Sequence, residues 1–221
     1  MKYDLIAEAY KSMLLETVIH PKLDENGRSV KIYEPHESTN EKSWIDNNSI
    51  ATITPGHSVL DNNPKFQSWD HSNVKDWNNV EGQGNFQEPP VNNPSGKRLA
   101  TGVVIHEDDG RVWVIHPTNQ FGGYDTTFPK GKVDPGINPR ANAIKEAAEE
   151  SGLKVELTGH AADVERSTSF TRYYHARRIG GHPKDMGWES QAVSLVPKDK
   201  LKDFANHYND KAIVQSVINK I

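Results

Sequence analysis

Cysteine is absent from this chain of 221 residues. Its absence excludes disulfides, zinc sites built on thiolates, and cysteine nucleophiles. An excess of basic residues is also missing, because 30 Asp and Glu outnumber 26 Lys and Arg and give a formal net charge of -4. A general nucleic-acid binder would normally be basic. The charge therefore argues against that class of protein.

Long apolar runs are scarce as well. Hydrophobic residues make up 34% of the chain, and the mean hydropathy is -0.76. The segment 1–20 carries Asp4, Glu8 and Glu16 among its apolar residues, so it resembles neither a signal peptide nor a membrane span. We therefore expect a cytoplasmic protein without a membrane partner.

The composition changes near residue 98. Apolar residues at helical spacing predict an amphipathic helix over residues 3–19. Residues 35–98 are rich in Asn, Pro, Ser and Asp, yet this segment also holds several aromatic residues. Because a disordered linker would carry few aromatics, we expect the segment to drape over the rest of the protein, with a flexible tail as the alternative. The aromatics are Trp44, Phe66, Trp69, Trp77 and Phe86.

After residue 98, strand patterns surround a single helical pattern. Runs rich in β-branched residues predict strands at 100–106 and 111–116, joined by the hairpin signal Glu-Asp-Asp-Gly. Strands flanking one central helix, with helices at the end, favour an α/β fold. The remaining elements are expected as strands within 154–165, 170–178 and 191–196, and as helices at 201–208 and 211–221.

The central helix carries clear signals at both ends. Asn138 can cap its start, Pro139 suits the first turn, and Gly152 suits the left-handed position past its end. An apolar stripe should pack one side of this helix on a sheet. The stripe consists of Ala141, Ile144, Ala147 and Ala148.

Three glutamates share the opposite face of this helix. Glu146, Glu149 and Glu150 stand at i, i+3 and i+4, which places their carboxylates side by side. Like charges this close repel one another, so a cation is the natural occupant of the space between them. The spacing indicates a metal site, and a solvated acidic face is the alternative.

A tight loop directly before the helix carries two lysines. Phe-Pro-Lys-Gly-Lys at 128–132 is followed by Asp-Pro-Gly at 134–136, a segment punctuated by glycine and proline. Backbone N–H groups of this loop, together with Lys130 and Lys132, could contact a phosphate beside a bound metal.

The loop and helix together resemble the Nudix hydrolase signature. In that family's pattern an opening Gly is followed by a Glu, then by Arg-Glu, a Glu-Glu pair, and a Gly with an aliphatic residue. Gly131 opens the pattern here, and Glu146 follows its basic position. Glu149 and Glu150 form the acidic pair, and Gly152 with Leu153 closes the pattern. The resemblance spans 23 of the 221 residues.

The resemblance implies a Nudix-type α/β/α sandwich over residues 99–221, preceded by an N-terminal helix and irregular extension over 1–98. It also implies a Mg²⁺-dependent hydrolase, with Mn²⁺ as a substitute. Such an enzyme cleaves a pyrophosphate bond in a nucleoside diphosphate linked to another moiety, of the dinucleoside polyphosphate or ADP-ribose type. A catalytically weak Nudix-like module that binds a nucleotide and regulates is the alternative. A homodimer is the commonest closed assembly and is expected as a possibility.

Two positions depart from the family's pattern. Ile137 stands where the family has its first Glu, and Lys145 stands where it has Arg. The resemblance implies that this Glu and Arg form an ion pair that steadies the loop against the helix. We therefore expect that support to be missing, with the Lys145 ammonium turned to water.

The resemblance also assigns roles to individual residues. The metal ligands would be Glu146, Glu149 and Glu150, with the Gly131 carbonyl as a fourth. The attacking water would give its proton to Glu149 or Glu150, or to the more distant Glu189, which precedes the strand at 191–196. Asp163 and Glu165 are the alternative candidates for the distant carboxylate.

Substrate contacts are harder to assign from sequence. Arg172 and Tyr173 lie on a predicted strand near the site, where alternate residues would face the cleft. We expect Arg172, Lys130 and Lys132 to hold phosphates and an aromatic such as Tyr173 to stack on a base. Packing on the sheet is the alternative for each. The cluster Phe-Gly-Gly-Tyr at 121–124 could line the cleft or be only a turn.

Overall fold

The computed structural model of the chain describes residues 17–219, so most of the helix predicted at 3–19 lies outside the described residues. The last residues of that prediction are wrong, because Val18–Ile19 (β1) pairs antiparallel with Lys31–Ile32 (β2). The carbonyl of Val30 continues this pairing by accepting from the His20 N–H at 2.9 Å. These backbone bonds require an extended chain at residues 18–20.

The chain forms four helices and nine strands within the described residues. The strands Arg98–His106 and Val112–Pro117, with the hairpin between them, confirm the prediction for residues 100–116. The remaining bounds are α1 Glu41–Ile45, β3 Ala51–Ile53, β4 Arg98–His106, β5 Val112–Pro117, β6 Lys130–Lys132, α2 Pro139–Ser151, β7 Leu153–Glu165, β8 Ser169–Gly181, β9 Ser190–Val196, α3 Leu201–Phe204 and α4 Lys211–Asn219.

A mixed sheet of seven strands organises the molecule. Its order is β3-β9-β5-β4-β8-β7, and β6 pairs with β4 off that path. β4 runs parallel to β8, and every other pairing in the sheet is antiparallel. Two strands share one edge of β4, because residues 100–102 pair with β6 and residues 105–106 pair with β5. This arrangement places the loop before α2 against the sheet.

Alternation along the strands divides the core into two clusters. Val103 and Ile105 of β4 belong to one cluster, which also contains the apolar face of α2. Val104, between them in sequence, belongs to the other cluster, which is closed by α3 and α4. Helices therefore cover both faces of the sheet, and the predicted α/β/α sandwich is confirmed.

The helix α2 begins and ends where the sequence predicts. The Asn138 side chain accepts a hydrogen bond from the Ala141 N–H at 2.9 Å. Gly152 adopts a left-handed φ of 71° and its N–H donates to the Ala148 carbonyl. The predicted apolar stripe of α2 is fully buried, as expected. Its members are Ala141, Ile144, Ala147 and Ala148.

The predicted helix at 201–208 is shorter than expected. It ends at Phe204, whose carbonyl accepts from the Thr126 hydroxyl, and a 3-10 turn follows at Tyr208–Asp210. The Thr126 hydroxyl thus occupies the Phe204 carbonyl, which would accept a backbone N–H if the helix continued. Among the helices within residues 17–219, none has the length and apolar character that a membrane crossing requires.

The extension before residue 98 packs into the same core as the rest of the chain. Its strand β3 pairs with β9 at the edge of the sheet. Trp44 is buried, and its ring centroid lies 6.1 Å from that of Phe66 and 5.9 Å from that of Trp113 on β5. Trp69, Trp77 and Phe86 pack, partly buried, against this cluster. Sheet and core therefore continue on both sides of residue 98.

Arg111 fixes the short helix α1 to this core. Its guanidinium is 2% exposed and donates to the carbonyls of Ser43 and Trp44, each at 2.8 Å. The carboxylate of Asp109 pairs with the same guanidinium at 2.7 Å. Burial of this charge is tolerated because its donors meet carbonyl and carboxylate oxygens.

The role of the extension in stability is tested by two adjacent substitutions. Trp44→Ala should lower the free energy of unfolding by about 3 kcal/mol or more, because it empties a buried aromatic site. Ile45→Ala is the matched control, since Ile45 is 82% exposed, and should change it by less than about 0.5 kcal/mol. Urea denaturation of the full chain measures both. Equal stability of the two variants would show that the extension does not belong to the core.

Candidate active site

A cleft of about 400 Å³ opens over the acidic face of α2. The structure brings four predicted residues together here, because Glu146, Glu149 and Glu150 of α2 and Glu189 before β9 all line it. The extension supplies further lining residues that the sequence did not indicate. These are Lys22, Leu23, Glu25 and His71.

Glu146 is buried directly against the backbone of β6. A Cβ atom on Gly131 would lie 2.2 Å from Glu146 Oε2, so the carboxylate occupies space that only glycine leaves open. Burial, followed by the charge of Glu150, raises the pKa of Glu146 to about 9. Gly131 therefore has a steric reason to be glycine, and ligation by its carbonyl stays a prediction.

Glu150 is buried beside Glu146 and turns toward the same strand. Its Oε2 accepts from the backbone N–H of Lys130 at 2.6 Å. Burial raises the pKa of Glu150 to about 7, although the charge of Lys130 opposes the shift. Two carboxylates are thus held next to each other in a partly desolvated site, where a cation would stabilise their charged forms.

Lys145 does not turn to water, and the expected loss of loop support is wrong. Its side chain is 17% exposed, and its ammonium lies 3.1 Å from Asp134 Oδ2 and 2.7 Å from Glu149 Oε2. Burial alone would lower the pKa of Lys145, but these carboxylates outweigh burial and raise it. Asp134 in the loop thus provides the acidic partner that Ile137 cannot, three residues earlier in the chain.

Asn142 connects the loop, the sheet and the metal-site helix, and sequence reasoning missed it. Its Oδ1 accepts from the Asp134 N–H at 3.1 Å, and its Nδ2 donates to Thr101 Oγ1 on β4 at 3.0 Å. The same amide nitrogen lies 3.3 Å from Glu146 Oε1. Its position four residues before Glu146, on the same helix face, was the available signal.

Glu189 reaches the cleft because the preceding residues dock on the end of α2. The Gly187 N–H donates to the Glu149 carbonyl at 2.7 Å, and a Cβ on Gly187 would lie 2.4 Å from that oxygen. The Glu189 residue is exposed to solvent. Partial burial of its carboxylate in the cleft, followed by the negative charges of Glu149 and Glu25, nevertheless raises the pKa of Glu189.

A second cavity of about 470 Å³ adjoins the acidic cleft and shares Glu150, Trp188 and Glu189 with it. Phe121, Gly122 and Tyr124 line this cavity, so the segment 121–124 is more than a turn. The lining of this cavity is largely aromatic and apolar, and it also includes Val30 and Pro117.

Tyr124 is held firmly in the aromatic cavity. Its hydroxyl accepts from Asn209 Nδ2 at 2.9 Å and from the guanidinium of Arg166, and its ring centroid lies 4.0 Å from that of His207. The Lys130 ammonium lies 5.3 Å above the Tyr124 ring. Lys130 therefore lines the second cavity, and its contact with phosphate stays a prediction.

The loop between β5 and Tyr124 is strained. Asn119 and Gln120 both adopt left-handed φ angles, of 53° and 55°, which non-glycine residues rarely do. The Asn119 side chain holds the extension, since its Nδ2 donates to the Lys31 carbonyl at 2.8 Å and its Oδ1 accepts from the Tyr33 N–H at 3.0 Å. Strain of this kind persists only where surrounding contacts enforce it.

The structure places Arg172 and Tyr173 away from both cavities, which corrects their predicted role in substrate binding. The Arg172 guanidinium is 2% exposed, pairs with Asp163 at 2.7 Å and with Glu88 at 3.0 Å, and so anchors the extension. Tyr173 is fully buried in the core, where its hydroxyl accepts from Arg166 at 2.8 Å. Neither side chain can reach a phosphate from these positions.

Three other candidates also lie outside the cavities. Lys132 is exposed at the end of β6 and lines neither cavity. Asp163 is held by Arg172, and Glu165 pairs with Lys97 at 2.8 Å. Asp163 and Glu165 are therefore engaged in ion pairs elsewhere. Of the three distant carboxylates predicted from sequence, Glu189 lines the cleft, together with Glu25 of the extension.

The donor set of the cleft suits a hard divalent cation. Carboxylate oxygens are the ligands that Mg²⁺ prefers. Burial disfavours the charged forms of Glu146 and Glu150, and a bound cation would stabilise those forms. Within residues 17–219, however, no three acidic or histidine side chains are already arranged to hold a metal ion. Glu149 turns to Lys145 and Glu150 to the Lys130 N–H, so coordination would require these side chains to rotate.

Comparison with known proteins places more than half of the chain in one family. A family model described as NUDIX domain matches residues 96–216, from just before β4 into α4. The chain is 36% identical over 96 residues to an RNA pyrophosphohydrolase of Caulobacter vibrioides, covering 42% of this chain and 52% of that protein. The chain therefore spans about half the length of this curated relative.

Two solved structures superpose on about half of the chain. A NUDIX hydrolase from Nitrosomonas europaea superposes with a TM-score of 0.48 and 12% identity, covering 55% of this chain and 86% of that one. An Ap4A hydrolase from C. elegans superposes with a TM-score of 0.44 and 20% identity, covering 54% of this chain and 93% of that one.

Gly131→Ala tests the packing of the carboxylate site. The new Cβ should push the Glu146 carboxylate aside and weaken Mn²⁺ binding by about 10- to 100-fold, as loss of a supporting contact typically does. Gly159→Ala is the matched control, because a Cβ there meets no atom within 4 Å. Isothermal titration calorimetry measures the affinity, and thermal melting checks that both variants fold. Equal Mn²⁺ affinity in the two variants would contradict the packing argument.

Proposed function

This chain belongs to the Nudix family, and we propose that it is a metal-dependent hydrolase of pyrophosphate bonds in nucleoside diphosphate derivatives. One observation carries the proposal. Two buried carboxylates, Glu146 and Glu150, lie beside Glu149 and Glu189 in a cleft that adjoins an aromatic cavity. Such a pair of sites suits a substrate with a charged phosphate part and a flat apolar part.

We assign the metal site to Glu146, Glu149 and Glu150, with the Gly131 carbonyl as a further ligand. Mg²⁺, or Mn²⁺ in its place, would neutralise charge on the pyrophosphate and make a bound water more acidic. The protein prepares the site by holding Glu146 against Gly131 and Glu150 against the Lys130 N–H. It also holds Glu149 through Lys145, which must release it for coordination.

Glu189 is the best placed acceptor for the proton of the attacking water. Among the described residues no side chain pairs with its carboxylate, whereas Glu149 and Glu150 each have a partner. The raised pKa of Glu189 makes it a stronger base than an ordinary exposed glutamate. Glu149 and Glu150 remain the alternative bases if they leave those partners.

The aromatic cavity is the proposed site for the nucleoside. Phe121 is 81% exposed there, so a base could stack on its ring. Tyr124, already contacted by His207 and Lys130, would complete the wall of the cavity. The Lys130 ammonium above Tyr124 would then face the phosphates next to the nucleoside. The shared residues Glu150 and Glu189 would meet the substrate where these two parts join.

Several substrates fit this description. Dinucleoside polyphosphates and ADP-ribose are the classes expected from the sequence, and the Caulobacter relative adds the end of an RNA as a candidate. An RNA terminus agrees with the net charge of -4, since only its terminal nucleotide and phosphates need to enter the site. A cytoplasmic location and a homodimer remain predictions from the sequence.

The alternative function is a nucleotide-binding module with weak catalysis. Such a module would be expected if Ile137 and Lys145 removed the ion pair that supports the loop. Since Lys145 instead pairs with Asp134 across the same loop, we favour the enzyme.

Hydrolysis of a substrate panel, followed by chromatographic separation of the products, tests the proposed activity. The panel comprises diadenosine tetraphosphate, ADP-ribose, NADH, a diphosphoinositol phosphate and an RNA with a 5′ triphosphate, each with and without Mg²⁺. Glu150→Gln keeps the shape of the side chain and an oxygen acceptor for Lys130 but removes the charge. It should lower turnover at least about 100-fold.

Glu81→Gln is the matched control for this substitution. The Glu81 side chain is 83% exposed and, within residues 17–219, pairs with Lys154 alone, so the change should leave turnover unaffected. Tight nucleotide binding without turnover of any panel member would instead support the regulatory module.

A further inference from the structure

The extension places an ammonium group in the acidic cleft. Lys22 and Lys145 both line this cleft, but they differ in their partners. Lys145 is paired with Asp134 and Glu149, whereas no carboxylate within residues 17–219 lies within ion-pairing distance of the Lys22 ammonium. Its one hydrogen-bond acceptor there is the backbone carbonyl of Asp185. An ammonium has three donors, so Lys22 keeps donors for a further partner.

The position of Lys22 is fixed by the protein core. Its backbone N–H donates to His20 Nδ1 at 3.0 Å, and His20 is 2% exposed. The His20 N–H in turn donates to the Val30 carbonyl at 2.9 Å, next to the β1–β2 pair. Lys22 is itself only half-exposed. A lysine held this way differs from a mobile surface lysine, because its stem needs little further ordering to bind an anion.

His71 joins Lys22 from a second part of the extension. It opens the 3-10 turn His71–Asn73, and its N–H donates to the Trp69 carbonyl at 3.0 Å. Trp69 packs against the core and against Trp77, so this turn is anchored as well. His71 lines the same cleft as Lys22 and offers an imidazole N–H without needing a charge.

The two cavities therefore differ in chemistry on either side of Glu150 and Glu189. One side is aromatic and apolar, with Phe121 and Tyr124. The other side holds Lys22 and His71, with Glu25 exposed among its lining residues. A second nucleoside would leave the Lys22 ammonium without an anionic partner, whereas a phosphate would supply one.

We propose that Lys22, assisted by His71, binds a phosphate group on the far side of the scissile bond from the nucleoside. The preferred substrate is then a nucleoside polyphosphate, free or at a nucleic-acid end, whose chain beyond the cleaved bond ends in a phosphate and not in a sugar or a second nucleoside. Lys22 becomes a specificity-determining residue supplied by the extension, outside the residues 96–216 that match the family. This inference rests on the proposed function of the neighbouring carboxylates.

Binding of methylenediphosphonate, a pyrophosphate analogue that cannot be hydrolysed, tests the role of Lys22 directly. In the full chain with Mg²⁺, Lys22→Ala should weaken binding about 10-fold or more, because a charge-assisted hydrogen bond is lost. Lys22→Arg should restore affinity to within about 3-fold of the wild-type chain, since the charge and donors return. Lys31→Ala is the matched control, because Lys31 is an exposed lysine of the same extension that lines neither cavity.

Two results would overturn the inference. One is wild-type affinity in Lys22→Ala, and the other is failure of the folded wild-type chain to bind the probe. Turnover adds a separate readout, because Lys22→Ala should raise KM for a nucleoside triphosphate more than it lowers kcat. If the wild-type chain hydrolyses nothing, the proposed activity fails, while probe binding still decides the role of Lys22.

Discussion

The burial of two neighbouring carboxylates against one strand is the constraint on which the rest of the structure depends. Glu146 fits only because Gly131 has no side chain, and Glu150 fits because the Lys130 N–H meets it. Both are disfavoured in their charged forms by burial, which is tolerable if the site exists to receive a cation. The supporting contacts serve this arrangement, since Asn142 ties the helix to the loop and the sheet and Lys145 ties it to Asp134.

The extension belongs to the same arrangement rather than lying beside it. It adds β3 to the sheet and aromatic rings to the core, and Arg172 secures its last part through Glu88. These contacts carry Lys22 and His71 to the mouth of the acidic cleft. A segment outside the family match thus contributes to the walls of the site, and the proposed role of Lys22 in substrate choice rests on this placement.

Local signals predicted the helix and its glutamates well, because caps, spacing and the apolar stripe all act within a few residues. The cap at Asn138 and the left-handed Gly152 are cases of this kind. Failures came where a distant partner decides the outcome. Arg172 and Tyr173 lie on a strand covered on both faces, so alternation could not place them at the cleft. Asp134 takes the place of the acid that is missing at Ile137, and Lys22 lies in a segment without a recognisable pattern. Neither position can be predicted from the periodicity of the sequence.

The central claim is that the carboxylates of α2 form a divalent-cation site, and Mn²⁺ in a crystal tests it most directly. Anomalous scattering would locate the ion without assumptions about activity. We expect Mn²⁺ beside Glu146, Glu149 and Glu150, at about 2 Å from their oxygens, with Glu149 released from Lys145. Mn²⁺ bound elsewhere, with the Lys145–Glu149 pair intact and Glu146 still against Gly131, would contradict it.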